Sequence, residues 1–556
     1  MKKIKYQFIN FKLLCTILFW SCASNSPYPF KQQDVIAAQK LYGVEFNETE
    51  IDTMMKYLVR NRASYDTTRT FNIEYNESPA MTFNPLPNGF TTPSIEQNTQ
   101  YDLNKDISIP ENYDGIAFYS IFELASLIQT KQITSEELTN FYLNRLEKYN
   151  PQLEAVITLI KVEALIKARE MDKEIAEGKY RGPLHGIPYG VKDIISVKKY
   201  KTTWGAMPYK NQIIDETAEI VEKLNSAGAI LIAKLTSGAL ARGDVWFNGK
   251  TRNPWDLKQG SSGSSAGSAA ATSAGLVPFS IGTETWGSIL SPSSRCGITG
   301  LRPTYGRVSR HGVMTLSWSM DKVGPICRDA KDCALILSII NGSDGRDQTV
   351  YNIPFGINFK EDIKSLRIGY IQEIIDKDTT DSGTNGLFAL NFLKEIGVTM
   401  DSVTLPSSYP FRAFDSILRA EAGAYFDKLI ISNQINMMTQ QSSSSRANSL
   451  RQSRFIPAIE YLQANRLRKR LIQEMFDLFK DYDVIIAPGR GSQQSLITNL
   501  TGHPSISIPS GFDNKGRPTS ITLIGNLFDE ASILRFANFY QEKTDHEDKY
   551  PPIFNN

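Results

Sequence analysis

The chain has 556 residues, with 61 Lys and Arg against 59 Asp and Glu, a formal net charge of +2 and 41% hydrophobic residues. This is the make-up of a globular protein with ample material for a core. No basic stripe of the kind nucleic acid requires is present, so no nucleic-acid partner is expected. The four histidines (His185, His311, His503 and His546) lie far apart, and neither an HExxH nor a CxxC pair occurs. No metal and no cofactor is therefore expected.

At the N-terminus, Lys2, Lys3, Lys5 and Lys12 precede the apolar run Leu13 to Trp20, and Ser21-Cys22-Ala23 follows. A positive region, an apolar run too short to span a bilayer and then small residues predict an export signal over 1–22. Cys22 after Ser21 also suits lipid attachment after cleavage, although Phe19 stands where such a signal has a smaller aliphatic side chain. The expected location is periplasmic or membrane-anchored through a lipidated Cys22, with plain secretion as the alternative. Cys296, Cys327 and Cys333 then remain, an odd number that leaves at least one thiol free.

Residues 23–112 read as a helical accessory segment and linker. Asn47-x-x-Glu50 resembles a capping box, and Ile51, Met54, Met55, Leu58 and Val59 follow on one helical face. A stretch rich in Asn, Pro and Thr over 84–112 reads as linker. The main domain is expected over 113–545. Thr134-x-x-Glu137 opens a helix lined by Leu138, Phe141, Tyr142 and Leu146, which Asn150-Pro151 should end. Short apolar strands are expected at Val156–Ile160, Ala229–Ala233, Val277–Ile281, Leu366–Ile371 and Val484–Ala487. A helix is expected over Val162–Glu177. Strands alternating with helices predict a layered α/β fold. Gln440–Ser453, with four consecutive serines, reads as an exposed loop.

Residues 260–275, GSSGSSAGSAAATSAG, have a linker's composition. Against that, the run passes into alanines that favour helix and then into the apolar strand Val277–Ile281. A second small-residue turn, GTETWGS (282–288), follows directly. Two such turns flanking a helix and a strand can bring hydroxyls and backbone N–H groups together. A serine is a weak nucleophile until a base takes its proton, and with so few histidines a lysine freed of its charge by burial is a candidate base. GIPYGVKD (186–193) sets Lys192 at the end of a strand-like run, where its bland reading is a snorkelling surface lysine.

Taken together, RGPLHGIPYGVKD (181–193), TRNPWD (251–256), GSSAGSAAA (263–271), GLVPFSIGTETWGSI (275–289), GLRPTYGRVSRHGV (300–313), MDKVGP (320–325) and NLTGHPSISIPSGF (499–512) resemble the amidase-signature enzymes in the family's own order. The resemblance runs from about 116 to 541. It implies a large mixed twisted sheet covered by helices on both faces, and hydrolysis of a carboxamide C–N bond. It also implies a Ser–cis-Ser–Lys triad of Ser288 as nucleophile, Ser264 as bridge and Lys192 as base. Because GSS occurs twice, the family's spacing selects Ser264 over Ser261 and Ser262. The backbone N–H groups of Thr285, Trp286, Gly287 and Ser288 are implied as the oxyanion hole, and the expected substrate is a small-molecule or peptide amide.

The chain departs from the common family pattern at three positions. Trp286 stands where many members have glycine, and should narrow the pocket or stack on substrate. Leu290 replaces a common Arg, and Glu284 a common Asp. Two further readings compete with a free amidase, namely an amidotransferase A-type subunit, which export would separate from tRNA, and a catalytically silent binding homologue. The G-x-S-x-G match at 263–267 suits a nucleophile elbow only after a buried strand, and Asp256–Gly260 does not read as one.

Overall fold

The computed structural model describes residues 29–71, 74–75, 77, 80–93, 103–104, 106–372, 378, 380–489 and 493–555. The expected export signal and Cys22 lie outside the described residues. The chain divides into two compact units, Met1–Glu74 and Tyr75–Asn556. In the first, helices span Gln32–Tyr42 and Glu48–Thr70. Asn47 and Glu50 form the expected reciprocal cap, with Asn47 N–H donating to Glu50 at 2.7 Å and Glu50 N–H to Asn47 at 3.0 Å. Among the described residues no helix is long and apolar enough to cross a membrane.

The second unit is organised by a mixed sheet. Its strands begin with β1 (Val156–Leu159), β2 (Pro188–Lys192) and β3 (Ile230–Leu235). Two hairpins outside the sheet follow, β4 (Val245–Trp246) with β5 (Gly249–Lys250) and β6 (Arg252–Asn253) with β7 (Asp256–Gly260). Then come β8 (Phe279–Glu284), β9 (Thr299–Arg302), β10 (Lys322–Cys327), β11 (Ile368–Tyr370), β12 (Asp401–Ser402), β13 (Val484–Pro488), β14 (Ser505–Phe512) and β15 (Pro518–Gly525). The 11-stranded sheet has the order β1-β3-β2-β8-β10-β9-β14-β15-β13-β11-β12. β2 lies parallel to both β3 and β8, whereas β10 is antiparallel to β8. Every residue of β2, β8, β9 and β10 is buried, because helices cover both faces of the sheet.

The expected elements are mostly found, with two corrections. Pro151 does not end its helix, which spans Ser135–Leu153. A proline in the last turn removes only one N–H bond, and Glu154, in the left-handed region at φ 51°, closes that turn by donating to Asn150 O at 2.7 Å. Nor is Gln440–Ser453 a loop throughout, since Arg446–Ser453 is helical. Ser445 caps it, accepting from Asn448 N–H at 3.2 Å, and Ala447 and Leu450 are buried. Tertiary burial overrides the polar composition there. β7 does precede Ser264, but as a half-exposed hairpin strand outside the central sheet. It is not the buried strand that a nucleophile elbow needs. Cys296, Cys327 and Cys333 are all free and buried.

Candidate active site

The GSSGSS run belongs to the protein's interior. The helix Ala266–Ser273 that follows it is buried at every residue, as is the facing β8. Alanine, glycine and serine side chains let that helix lie close to the sheet. Its turn is equally tight: a Cβ on Gly263 would sit 1.9 Å from Gly243 O, so only glycine fits. The peptide bond Gly263–Ser264 is cis.

β2 delivers Lys192 into this space. The side chain is fully buried, and Nζ donates to Ser264 Oγ at 2.8 Å, to Thr283 Oγ1 at 2.8 Å and to Thr283 O at 3.3 Å. Of the serines in the GSSGSS run, Ser264 is the one Lys192 reaches. Burial lowers the Lys192 pKa from 10.5 to about 7, against the opposing pull of Asp321 and Glu284. About half of the amine is therefore uncharged at neutral pH. The snorkelling alternative is excluded by the absence of any solvent contact.

Ser288 lies beyond the end of β8 and is 8% exposed. The two serine turns are tied together, since Ser265 N–H donates to Ser288 O at 3.1 Å. Ser265 Oγ also donates to Thr283 O and accepts from Thr283 N–H, each at 3.1 Å, which anchors the Ser264 turn to the strand that holds the lysine's other partner. Between β8 and the helix Leu290–Cys296, the N–H groups of Thr285, Trp286, Gly287 and Ser288 donate to no protein acceptor among the described residues. Buried N–H groups without partners are rare, and four in succession leave donors for a ligand oxygen. Gly287 has φ 80°, and its O accepts from Ser291 N–H at 2.8 Å. Trp286 is 43% exposed, at the open side of this turn.

Sequence reasoning did not find what holds the turn. Glu284 accepts from Ile289 N–H at 2.8 Å and Leu290 N–H at 3.0 Å through one oxygen, and through the other from Arg302 at 2.8 Å and Asn499 at 2.9 Å. Burial alone would raise its pKa, but Arg302 and these donors outweigh it and hold the carboxyl at about 2. The charge is thus kept throughout neutral pH, and its stabilising share is lost only as pH falls through about 2. Asp321 takes the other side, accepting from Thr285 Oγ1 at 2.5 Å, Leu316 N–H at 2.7 Å and Ser317 N–H at 3.0 Å. Glu284, Arg302, Asp321 and Asn499 all sit within the family-like segments, but nothing in their spacing marks them as partners.

Glu284→Gln strands the Arg302 guanidinium in the interior, which typically costs about 3–5 kcal/mol. Denaturant unfolding is expected to show a loss of that size, and unchanged stability would mean the pair does not anchor the turn.

A buried amine that sheds its charge near neutrality, placed on a serine beside a second serine and a row of free N–H donors, is the equipment of a serine hydrolase with a lysine base. The chain belongs to the amidase family, whose model matches residues 137–494. It is 34% identical over 482 residues to the A subunit of glutamyl-tRNA(Gln) amidotransferase from Geobacillus thermodenitrificans, covering 78% of this chain and 99% of that one. Identity to the protein of the same name from Methylococcus capsulatus is 32% over 479 residues, covering 78% of this chain and 98% of that one. The fold resembles the native peptide amidase of Stenotrophomonas maltophilia with TM-score 0.70 at 27% identity, covering 80% of this chain and all of that one. The chain is thus an amidase-signature hydrolase.

Proposed function

We propose that the chain hydrolyses a small-molecule or peptide amide through an acyl-enzyme on Ser288. The observation that carries this is the 2.8 Å contact between Ser264 Oγ and the buried Lys192 amine, whose pKa of about 7 leaves it free to accept a proton. Ser264 passes its proton to Lys192 as it takes one from Ser288, and Ser288 Oγ bonds to the amide carbon. The negative oxygen is held by N–H groups of residues 285–288, each worth about 2.7–4 kcal/mol in comparable sites. Collapse breaks the C–N bond, and the relay run backwards protonates the departing nitrogen. Water then repeats the sequence in place of Ser288, releasing the acid and restoring the enzyme. The Ser288 hydroxyl has to turn toward Ser264 for the first transfer, and such contacts commonly tighten only around substrate. Trp286, exposed beside these donors, is the side chain placed to stack on the substrate.

Release of nitroaniline from a simple acyl nitroanilide tests the reading, with Ser288→Ala as the control. Equal release by both proteins would sink it. Ser264→Ala breaks the relay but keeps both ends. It is expected to lower kcat about 10²–10⁴-fold, the usual share of positioned proton transfer, with a smaller change in KM. An unaltered kcat would show that Lys192 reaches Ser288 without it.

A second reading is favoured by the 34% identity to a component of an amidotransferase, which would place the same chemistry within a cytoplasmic complex. The N-terminal residues support export instead, with Cys22 as a lipid attachment point. A silent binding homologue is disfavoured by the intact Lys192, Ser264 and Ser288. Fractionation of cells and mass spectrometry of the mature N-terminus separate the readings. A periplasmic or lipidated chain supports the free amidase, and a cytoplasmic chain beginning at Met1 supports the amidotransferase component.

A further inference from the structure

Beside the catalytic turn lies a narrow cavity lined by Ile194, Ala241, Thr283, Thr285 and Met314, with Arg310 also in its wall. It holds only about 10 Å³, room for roughly one water. Arg310 also lines a second and far larger cavity, of about 1370 Å³, between the 80–88 segment and the helix Ala458–Leu478. The two spaces therefore meet at one side chain. The larger exceeds the roughly 300–1,000 Å³ usual for a small-molecule site. A substrate that used both would carry a long arm away from the amide.

The larger cavity has a distinct charge. Its acidic members include Asp347, which is paired with Arg310 at 3.1 Å. Glu421 is occupied by Ser317, Ser319 and Tyr461 hydroxyls at 2.6, 2.8 and 2.9 Å, and Glu77 also lines the space. On the opposite wall Arg466, Lys469 and Arg470 follow one another at helical spacing, all exposed, and none has a carboxylate partner among the described residues. Arg466 donates to Gln463 at 2.9 Å, which takes up no charge. Arg468, on the buried side, is consumed by Leu500 O and Ser319 and lies over the Phe83 ring at 3.5 Å. Apolar contact is available from Phe83, Leu86 and Trp318. A concave surface with apolar walls and unspent cations on one side concentrates and orients anions.

We propose that the substrate is an amide whose far end bears an anionic group of carboxylate type, held in this cavity by Arg466, Lys469 and Arg470. The inference rests on the amidase reading for the identity of the reacting end. Binding to the inactive Ser288→Ala protein tests it without turnover. The probes are the monoanilides of glutaric, suberic and sebacic acids, each paired with the neutral alkanoyl anilide of equal chain length and measured by calorimetry. One of the longer acids is expected to bind at least about tenfold tighter than its neutral partner. Raised salt should weaken the preference, since these charges are exposed. It should fall about tenfold in the R466Q/K469Q/R470Q variant. The single variant K469E provides the same readout should the triple variant fold poorly.

Equal binding of acid and neutral probe, or a preference that survives both variants, would overturn the proposal. Wild-type turnover of a neutral anilide without an anionic preference defeats the cavity inference and leaves the amidase standing. A preference without any turnover does the reverse.

Discussion

Ser288→Ala is expected to lower amide turnover by a factor on the order of 10⁴–10⁶, the range seen when the nucleophile of a serine hydrolase is removed. The effect should fall on kcat, because the hydroxyl contributes a bond made only during reaction and little ground-state affinity. What remains should be the modest acceleration that free N–H donors at 285–288 give to attack by water. The substitution removes one oxygen from a side chain that is 8% exposed, so folding should be unaffected. A thermal unfolding curve superimposable on the wild type, alongside the lost turnover, separates chemistry from damage. A residual rate within tenfold of the wild type would assign the nucleophile elsewhere.

Lys192→Met should produce a loss of similar order together with a gain in stability. The lysine is held in a space with no water, and burial takes its pKa from 10.5 in the unfolded chain to about 7. Below about pH 7 both states bind the proton and the folded state bears the whole cost of the buried charge. Between about 7 and 10.5 the unfolded chain binds more protons, so stability attributable to this group rises with pH. Methionine fills similar volume without the charge, and removes a penalty on the order of a few kcal/mol at neutral pH. The variant is therefore expected to be inactive and to melt higher, with the difference shrinking toward pH 10. An inactive variant that melts lower at pH 7 would show that the amine is charged and well paired in the fold. Such opposition between stability and activity marks a group retained for chemistry.

Much of this site is legible in the residues alone, and the limits follow from what periodicity and motif can carry. Lys192 and Ser288 stand in segments whose texture announces buried strands and tight turns, and the family's spacing picks Ser264 from a run of serines. The structure places that serine on the lysine. The strands β9, β10, β14 and β15 that widen the sheet are not separable as elements, since fully buried strands lack the alternation that marks half-buried ones. Electrostatic anchoring is invisible for a different reason. Glu284 meets Arg302 and Asn499 across the sheet, and Asp321 meets Thr285 from the next strand over, so their roles arise from strand order. In the same way the helix Arg446–Ser453 is fixed by tertiary contacts, with Arg446 donating to Leu240 O at 3.1 Å and Ala241 O at 3.2 Å.

The central claim is that an uncharged lysine, reached only through a serine, draws the proton from Ser288. The rate at which a fluorophosphonate probe labels Ser288, followed by intact mass and peptide mapping from pH 5 to 9, measures this without the natural substrate. The rate should climb about tenfold per pH unit, level off near pH 7 as Lys192 loses its proton, and lose both its size and its pH dependence in Lys192→Met. Labelling that is flat across this range, that still rises at pH 9, or that persists in Ser288→Ala would contradict it.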